Sequence, residues 1–214
     1  PGLTGKGVPQ GWVTRMGRPE AEWCYKNKRG CELVKRDLPR DALSYVDPGQ
    51  MAVIAPKLPH PSAFTPLSVF FWSPKSTFEF QFTCPECSRA LQSKGIYPSA
   101  KLIEGSGGRV WFCQERYQCP ASHAGGKAAK DFRSSDNRLL SQLPICLREQ
   151  LPYTQSYLSG VETRILNFLL DRRGNALSIA GLSRMVETLQ RAEYERAELA
   201  YYSACHRHQV LARV

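Results

Sequence analysis

The sequence has no long apolar run; stretches such as Val69–Trp72 are only a few residues in length. A membrane-spanning helix needs roughly 20 apolar residues, so no such span is expected, and Pro1-Gly2-Leu3 does not open a secretory apolar segment. The reading is of a soluble, intracellular chain with no membrane partner. Acids are in deficit: 19 Asp and Glu stand against 29 Lys and Arg, giving a formal charge of +10. Such an excess concentrates polyanions at a protein surface, which makes nucleic acid the leading partner class. Paired carboxylates, a phosphate-cradling glycine loop and a nucleophile–base spacing are all missing, so neither enzyme activity nor a small-molecule substrate is expected. The 8 cysteines in 214 residues fall below the roughly 8–10% density of disulfide scaffolds. In an intracellular chain, paired cysteines are more often metal ligands than disulfides.

What is present divides into three stretches. Residues 1–66 are rich in Gly and Pro, with Pro48, Pro56, Pro59, Pro61 and Pro66 as punctuation, and read as an extended arm. Within it, Gly17-Arg18-Pro19 has the look of a minor-groove hook, in which a thin extended backbone carries an arginine. Residues 67–133 read as β structure. Val69, Phe71, Phe78, Phe80 and Phe82 alternate as half-buried strands do, and strands at 100–104 and 109–118 flank a Gly105-Ser106-Gly107-Gly108 turn. Residues 134–214 change to a helical period. A short helix over 136–150 is interrupted at Pro144, another opens at Ser159 with Glu162 at capping-box spacing, and a long one runs over 178–205. The fold class is therefore α+β: a zinc-ribbon-like β-hairpin subdomain followed by a helical, helix-turn-helix-like subdomain, with a Gly/Pro-rich N-terminal arm.

The chemistry concentrates around the hairpin. Cys84-Pro85-Glu86-Cys87 is a C-x-x-C, a spacing that points two thiolates at one ion. Beyond the hairpin lie Cys113, Cys119 and His123. Cys119-Pro-Ala-Ser-His123 falls just past a strand end, as a second metal-binding turn should, whereas Cys113 sits inside the strand among aromatic residues. The expected site is Cys84, Cys87, Cys119 and His123 around one structural Zn2+ per chain, with Cys113 replacing His123 as the alternative. Four protein ligands close the coordination sphere, which is the arrangement of a structural zinc rather than a catalytic one. Of the remaining thiols, Cys146 and Cys205 fall in predicted helices and are read as core, and Cys24 and Cys31 as unpaired.

Taken in order, Cys84-Pro-Glu-Cys87, Arg116-Tyr117-Gln118-Cys119, Phe132 with Asp136, Leu139-Leu140-Ser-Gln142-Leu143-Pro144 and Ser159-Gly160-Val161 resemble an uncharacterised zinc-binding, cysteine-containing domain of eukaryotic transposon-derived, transposase-like proteins. The likeness spans about 120 of the 214 residues. Members of that family place a cysteine two residues after the RYxC cysteine, whereas here the next candidate is His123, four residues on. The resemblance implies an accessory module that sits beside a transposase-like catalytic domain.

Two surfaces are candidates for nucleic acid. Arg89, Lys94, Lys101, Arg109, Arg116, Lys127, Lys130 and Arg133 crowd the hairpin region, with Tyr97, Trp111 and Tyr117 interleaved, a mixture suited to backbone tracking and base stacking. In the helical third every base is Arg; Arg172 and Arg173 at the predicted turn and Arg184 on the second helix are placed as phosphate or base contacts. The expected function is a structural-zinc, DNA-binding accessory module in the nucleus. The alternative is a zinc-stabilised scaffold that docks a protein partner or an adjacent catalytic domain.

Overall fold

The computed structural model of the protein describes residues 7–36, 64, 66–106, 108–121, 130–156, 159–170 and 178–211. Two helices open it, α1 (Gln10–Met16) and α2 (Arg18–Asn27), followed by the short strand β1 (Leu33–Lys35). The extended arm expected for 1–66 is therefore not what residues 7–36 form. The sequence pattern misleads because glycine and proline sit here at helix ends rather than inside helices. Gly17 takes a φ of 82° between α1 and α2, and Pro19 occupies the first turn of α2, where its missing N–H costs nothing. The minor-groove hook fails for the same reason: Arg18 is helical and pairs with Glu22 at 3.3 Å.

The central element is β2 (Ser68–Trp72), a run of β-branched and aromatic residues buried on nearly every side chain. It pairs antiparallel with β1 and parallel with β5 (Gly108–Gln118), with Val69 opposite Trp111 and Trp72 opposite Gln114. Only this first part of the aromatic-rich stretch is a strand, because Pro74–Phe78 turns into the short helix α3. The expected hairpin does form: β4 (Lys101–Gly105) runs antiparallel to β5 and closes with Gly105 opposite Gly108. It is not a free-standing ribbon. The first half of β5 lies between β2 and β4, and its second half between β3 (Gln92–Ile96) and β6 (Asp131–Arg133), so one long strand carries both ends of a curled sheet.

The far side of the sheet corrects another expectation. Ser159–Glu162 is not a helix start but a strand, β8, parallel to β4 and antiparallel to β7 (Tyr153–Gln155). A capping box is a local signal worth about 1 kcal/mol, and pairing with two neighbouring strands outweighs it. Gly160 is fitted to that pairing, since an added Cβ would lie 2.4 Å from Ile103 Cδ1 and 2.7 Å from the Thr154 carbonyl oxygen. The Glu162 carboxylate meanwhile accepts the backbone N–H of Ser106 at 2.8 Å and its hydroxyl at 2.7 Å.

Among the described residues, two short helices separate β6 from β7, and two more follow β8. Pro144 separates α4 (Asn137–Leu140) from α5 (Ile145–Arg148); Asp136 caps α4 by accepting the Arg138 N–H at 3.0 Å. Then come α6 (Thr163–Leu170) and α7 (Ile179–Leu211). The turn of the expected helix-turn-helix pair lies outside the described residues; α7, 33 residues long, docks on the sheet. Gln190 donates to Glu104 at 2.6 Å, and Glu193 approaches both Lys35 and the glycine turn.

Two buried clusters share the sheet. The larger gathers Phe70, Trp72, Phe82, Phe112, Tyr117 and Phe132; the smaller packs Trp12, Cys24, Val69 and Cys113 under the first two helices.

Candidate metal centre

Cys84 follows Thr83, which bridges Ala90 across a tight loop, and the loop is knitted by its own backbone. The N–H of Cys84 donates to the Arg89 carbonyl at 2.8 Å and the N–H of Ser88 to the Cys84 carbonyl at 2.9 Å; Ser88 takes the left-handed φ of 58° that lets the chain return. Leu91 then donates to the Phe82 carbonyl at 2.9 Å and leads into β3. Cys119 arrives from the other direction, one residue past β5, its N–H held by the Lys130 carbonyl at 3.1 Å.

These two chain ends bring Cys84, Cys87 and Cys119 together, with all three sulfurs within 4.8 Å of one another and Cys87 Sγ 3.5 Å from Cys119 Sγ. Sulfurs bonded to a common tetrahedral ion at ~2.3 Å stand ~3.8 Å apart, so the spacing matches a shared ion. All three are free thiols rather than a disulfide. The donor set also carries its own electrostatics. A backbone hydrogen bond from Arg89, the largest influence, holds the Cys87 thiol below its ordinary range, and Cys119 accepts one from Ala121 although burial pushes its thiol up. Amide N–H groups aimed at sulfur offset thiolate charge, which is what a metal-bound cluster needs.

Neighbours hold the loop in place. Lys130 pairs with Glu86 and so ties the C-x-x-C turn to the start of β6. Gln142 grips the backbone of Thr83 from both sides, accepting its N–H at 2.9 Å and donating to its carbonyl at 2.9 Å, so a side chain fills the place of a strand partner. This gives the Gln142-Leu143-Pro144 element a physical role that its sequence did not announce. Gln142→Ala is expected to cost about 1–2 kcal/mol, and the Thr83 amide should lose hydrogen-exchange protection while amides in β2 keep theirs. Unchanged exchange at Thr83 would show that the grip is idle.

The structure treats the other predicted site residues unequally. Cys113 is not part of the group; it is wholly buried in the smaller cluster beside Trp12 and Cys24, and burial pushes its thiol well up. His123, Lys127, Arg172 and Arg173 lie outside the described residues. Arg89, Lys94 and Arg184 are exposed, and of the three Arg89 adjoins the cysteines. Arg109 pairs with Glu104 at 3.2 Å, Arg116 with Asp131 at 2.5 Å, and Lys130 with Glu86. Lys101 is a correction: it is 7% exposed, its Nζ donating to Gln155 Oε1 and to the Ser156 carbonyl, so it does not belong to an outer basic surface. Its place among the basic residues of the hairpin region does not reveal this, because β8 pairs with β4 and the covering Gln155 and Ser156 come from a distant part of the chain. Cys146, expected in the core, is exposed.

The fold and site together define a class: a mixed α+β protein with a curled sheet and three converging cysteines able to hold a metal ion. Among the described residues no helix is long and apolar enough to cross a membrane. The chain belongs to the family described as Domain of unknown function (DUF6729), whose model matches residues 17–214. No curated protein and no solved structure matches it.

Proposed function

We propose that the chain is a zinc-stabilised nucleic-acid-binding module, with duplex DNA as its partner, acting in the nucleus as an accessory unit beside the transposase-like catalytic domain of a transposon-derived protein. The observation that carries this reading is the three-cysteine group set among basic side chains in a chain of net charge +10. Zn2+ is held by Cys84, Cys87 and Cys119, with His123 as fourth ligand. Three sulfurs and an imidazole favour a soft or borderline ion, and four protein ligands make it a structural one. Arg89 adjoins the site, Lys94 is exposed on β3, and Arg116 and Lys130 hold half-exposed ion pairs that exchange cheaply for phosphate.

The test is a titration of duplex DNA at several salt concentrations. With four phosphates neutralised, affinity should fall roughly a hundredfold between 50 and 200 mM salt, because each phosphate releases about 0.9 counterion. Arg89→Gln with Lys94→Gln should flatten that slope by about two. Absence of binding at low salt, or affinity indifferent to salt, would overturn the reading.

A second reading is favoured by α7. Leu199 and Tyr202 on this long helix are 66% and 59% exposed, which suits a scaffold that docks a protein partner or an adjacent catalytic domain. Partner-dependent protection of α7 from proteolysis, without DNA affinity, would select it.

A further inference from the structure

A cleft of about 690 Å³ opens on the sheet edge between β4, β6, β7 and the start of α4. Its volume is that of sites which enclose a small organic molecule. Its lining is unusual in charge. Lys101 and Arg133 both face it, and neither forms an ion pair among the described residues. Of the carboxylates at the rim, Asp131 is held by Arg116 at 2.5 Å and Asp136 by Arg138 at 2.7 Å; Asp136 also feels the Arg133 charge, but the two form no ion pair among the described residues.

The two cations are fixed rather than free to swing into solvent. The Lys101 ammonium spends two of its three N–H groups on neutral oxygens, Gln155 Oε1 at 3.2 Å and the Ser156 carbonyl at 2.7 Å. The Arg133 guanidinium lies over the Tyr97 ring, 4.6 Å from its centroid, with no side-chain hydrogen bond among the described residues. Burial lowers the Lys101 pKa, and Arg133 and Arg15 lower it further, so the positive charges repel one another. A polar network adjoins them. Ser135, a lining residue, donates to Gln114 Oε1 at 2.5 Å, and Gln114, 1% exposed, keeps its Nε2 without a partner among the described residues. Leu140, Leu151 and Tyr153 also line the cleft and give it apolar surface.

A buried ammonium and a half-buried guanidinium with no ion pair among the described residues, beside a space much larger than an inorganic ion, call for a ligand with an anionic head and a flat, partly apolar body. We propose that this cleft binds a phosphorylated nucleoside, its phosphate on Lys101 and Arg133 and its base against Tyr153, Leu140 and Leu151. The phosphate is that of a free nucleotide or of a strand end; the chemistry recognised is the same. The site is separate from the surface at Arg89 and Lys94 and does not rest on duplex binding.

Calorimetry of the full chain with AMP, adenosine and inorganic phosphate tests it. AMP should bind, with adenosine and phosphate each at least tenfold weaker. Arg133→Gln, a change at a half-buried position, should weaken AMP roughly tenfold or more, the value of one charge-assisted contact. Lys101→Met, checked for folding by circular dichroism, should do the same. A 5′-phosphorylated single strand that binds more tightly than both AMP and its 5′-hydroxyl twin would assign the strand end; otherwise AMP is the better mimic and the free nucleotide is assigned. Failure of AMP and the phosphorylated strand to bind the folded chain, equal affinity for AMP and adenosine, phosphate binding as tightly as AMP, or unchanged affinity in Arg133→Gln would overturn the proposal.

Discussion

Cys84→Ser is expected to lose bound metal and to lower the Tm by about 10 °C or more. The purified chain should carry about one zinc, the stoichiometry of a single site of this kind. Cys84 is buried at the base of a loop whose other fixings include a few backbone hydrogen bonds, the Gln142 grip and the exposed Lys130–Glu86 pair. An ion shared with Cys87 and Cys119 crosslinks this loop to the end of β5, more than thirty residues on, and therefore restrains the loop, β3, β5 and β6 together. Serine is a poor ligand for such an ion and leaves two thiolates close together without compensation. Metal analysis and a thermal melt of wild type and variant, each with and without chelator, check the outcome. A chain that is fully folded and metal-free after purification in the presence of zinc would sink the metal site. A Cys113→Ser control should keep the metal, because Cys113 belongs to the other cluster.

Phe112→Ala is expected to destabilise the fold by about 3–5 kcal/mol, the range for deleting a buried aromatic ring. Phe112 is fully buried midway along β5, its ring stacked 6.0 Å from Phe70 and edge-on to Tyr153 at 6.1 Å. It joins β2, β5 and β7, and a cavity there cannot close without moving three strands. Urea denaturation should show the lower midpoint with little change in slope. A loss under 1 kcal/mol would mean that the curl relaxes around the gap. Trp111→Ala offers a comparison, since Trp111 is only half buried on the other face of the same strand.

How much of this was legible beforehand varies with how local the cause is. The β4–β5 hairpin was visible because glycines at its turn and alternation along its strands are short-range features. The break at Pro144 and the length of α7 were visible for the same reason. Cys84, Cys87 and Cys119 could be chosen over Cys113 from one fact: ligands belong on turns and Cys113 belongs in a strand. The misses share the opposite cause. Gly17 and Pro19 signal a helix boundary as well as a break, and which they mean depends on the α1 and α2 faces that cover the sheet. Ser159 and Glu162 have a cap's spacing, yet β4 and β7 claim them. Lys101 is a charged residue in an alternating strand, and nothing near it in sequence tells that Gln155 and Ser156 will close over it.

By itself, then, the sequence determined the composition of the site and the balance of charge: which thiols are paired at metal-binding spacing, and that cations outnumber anions. Those are properties of residue type and near spacing, and folding does not alter them. Only the tertiary structure decided where the charge is usable. It sets Arg109, Arg116 and Lys130 in ion pairs, leaves Arg89 and Lys94 at the surface, and confines Lys101 and Arg133 to a cleft. The reason is physical: a charge's strength depends on its solvent exposure and on its partners, and both are fixed by strands that meet from distant parts of the chain.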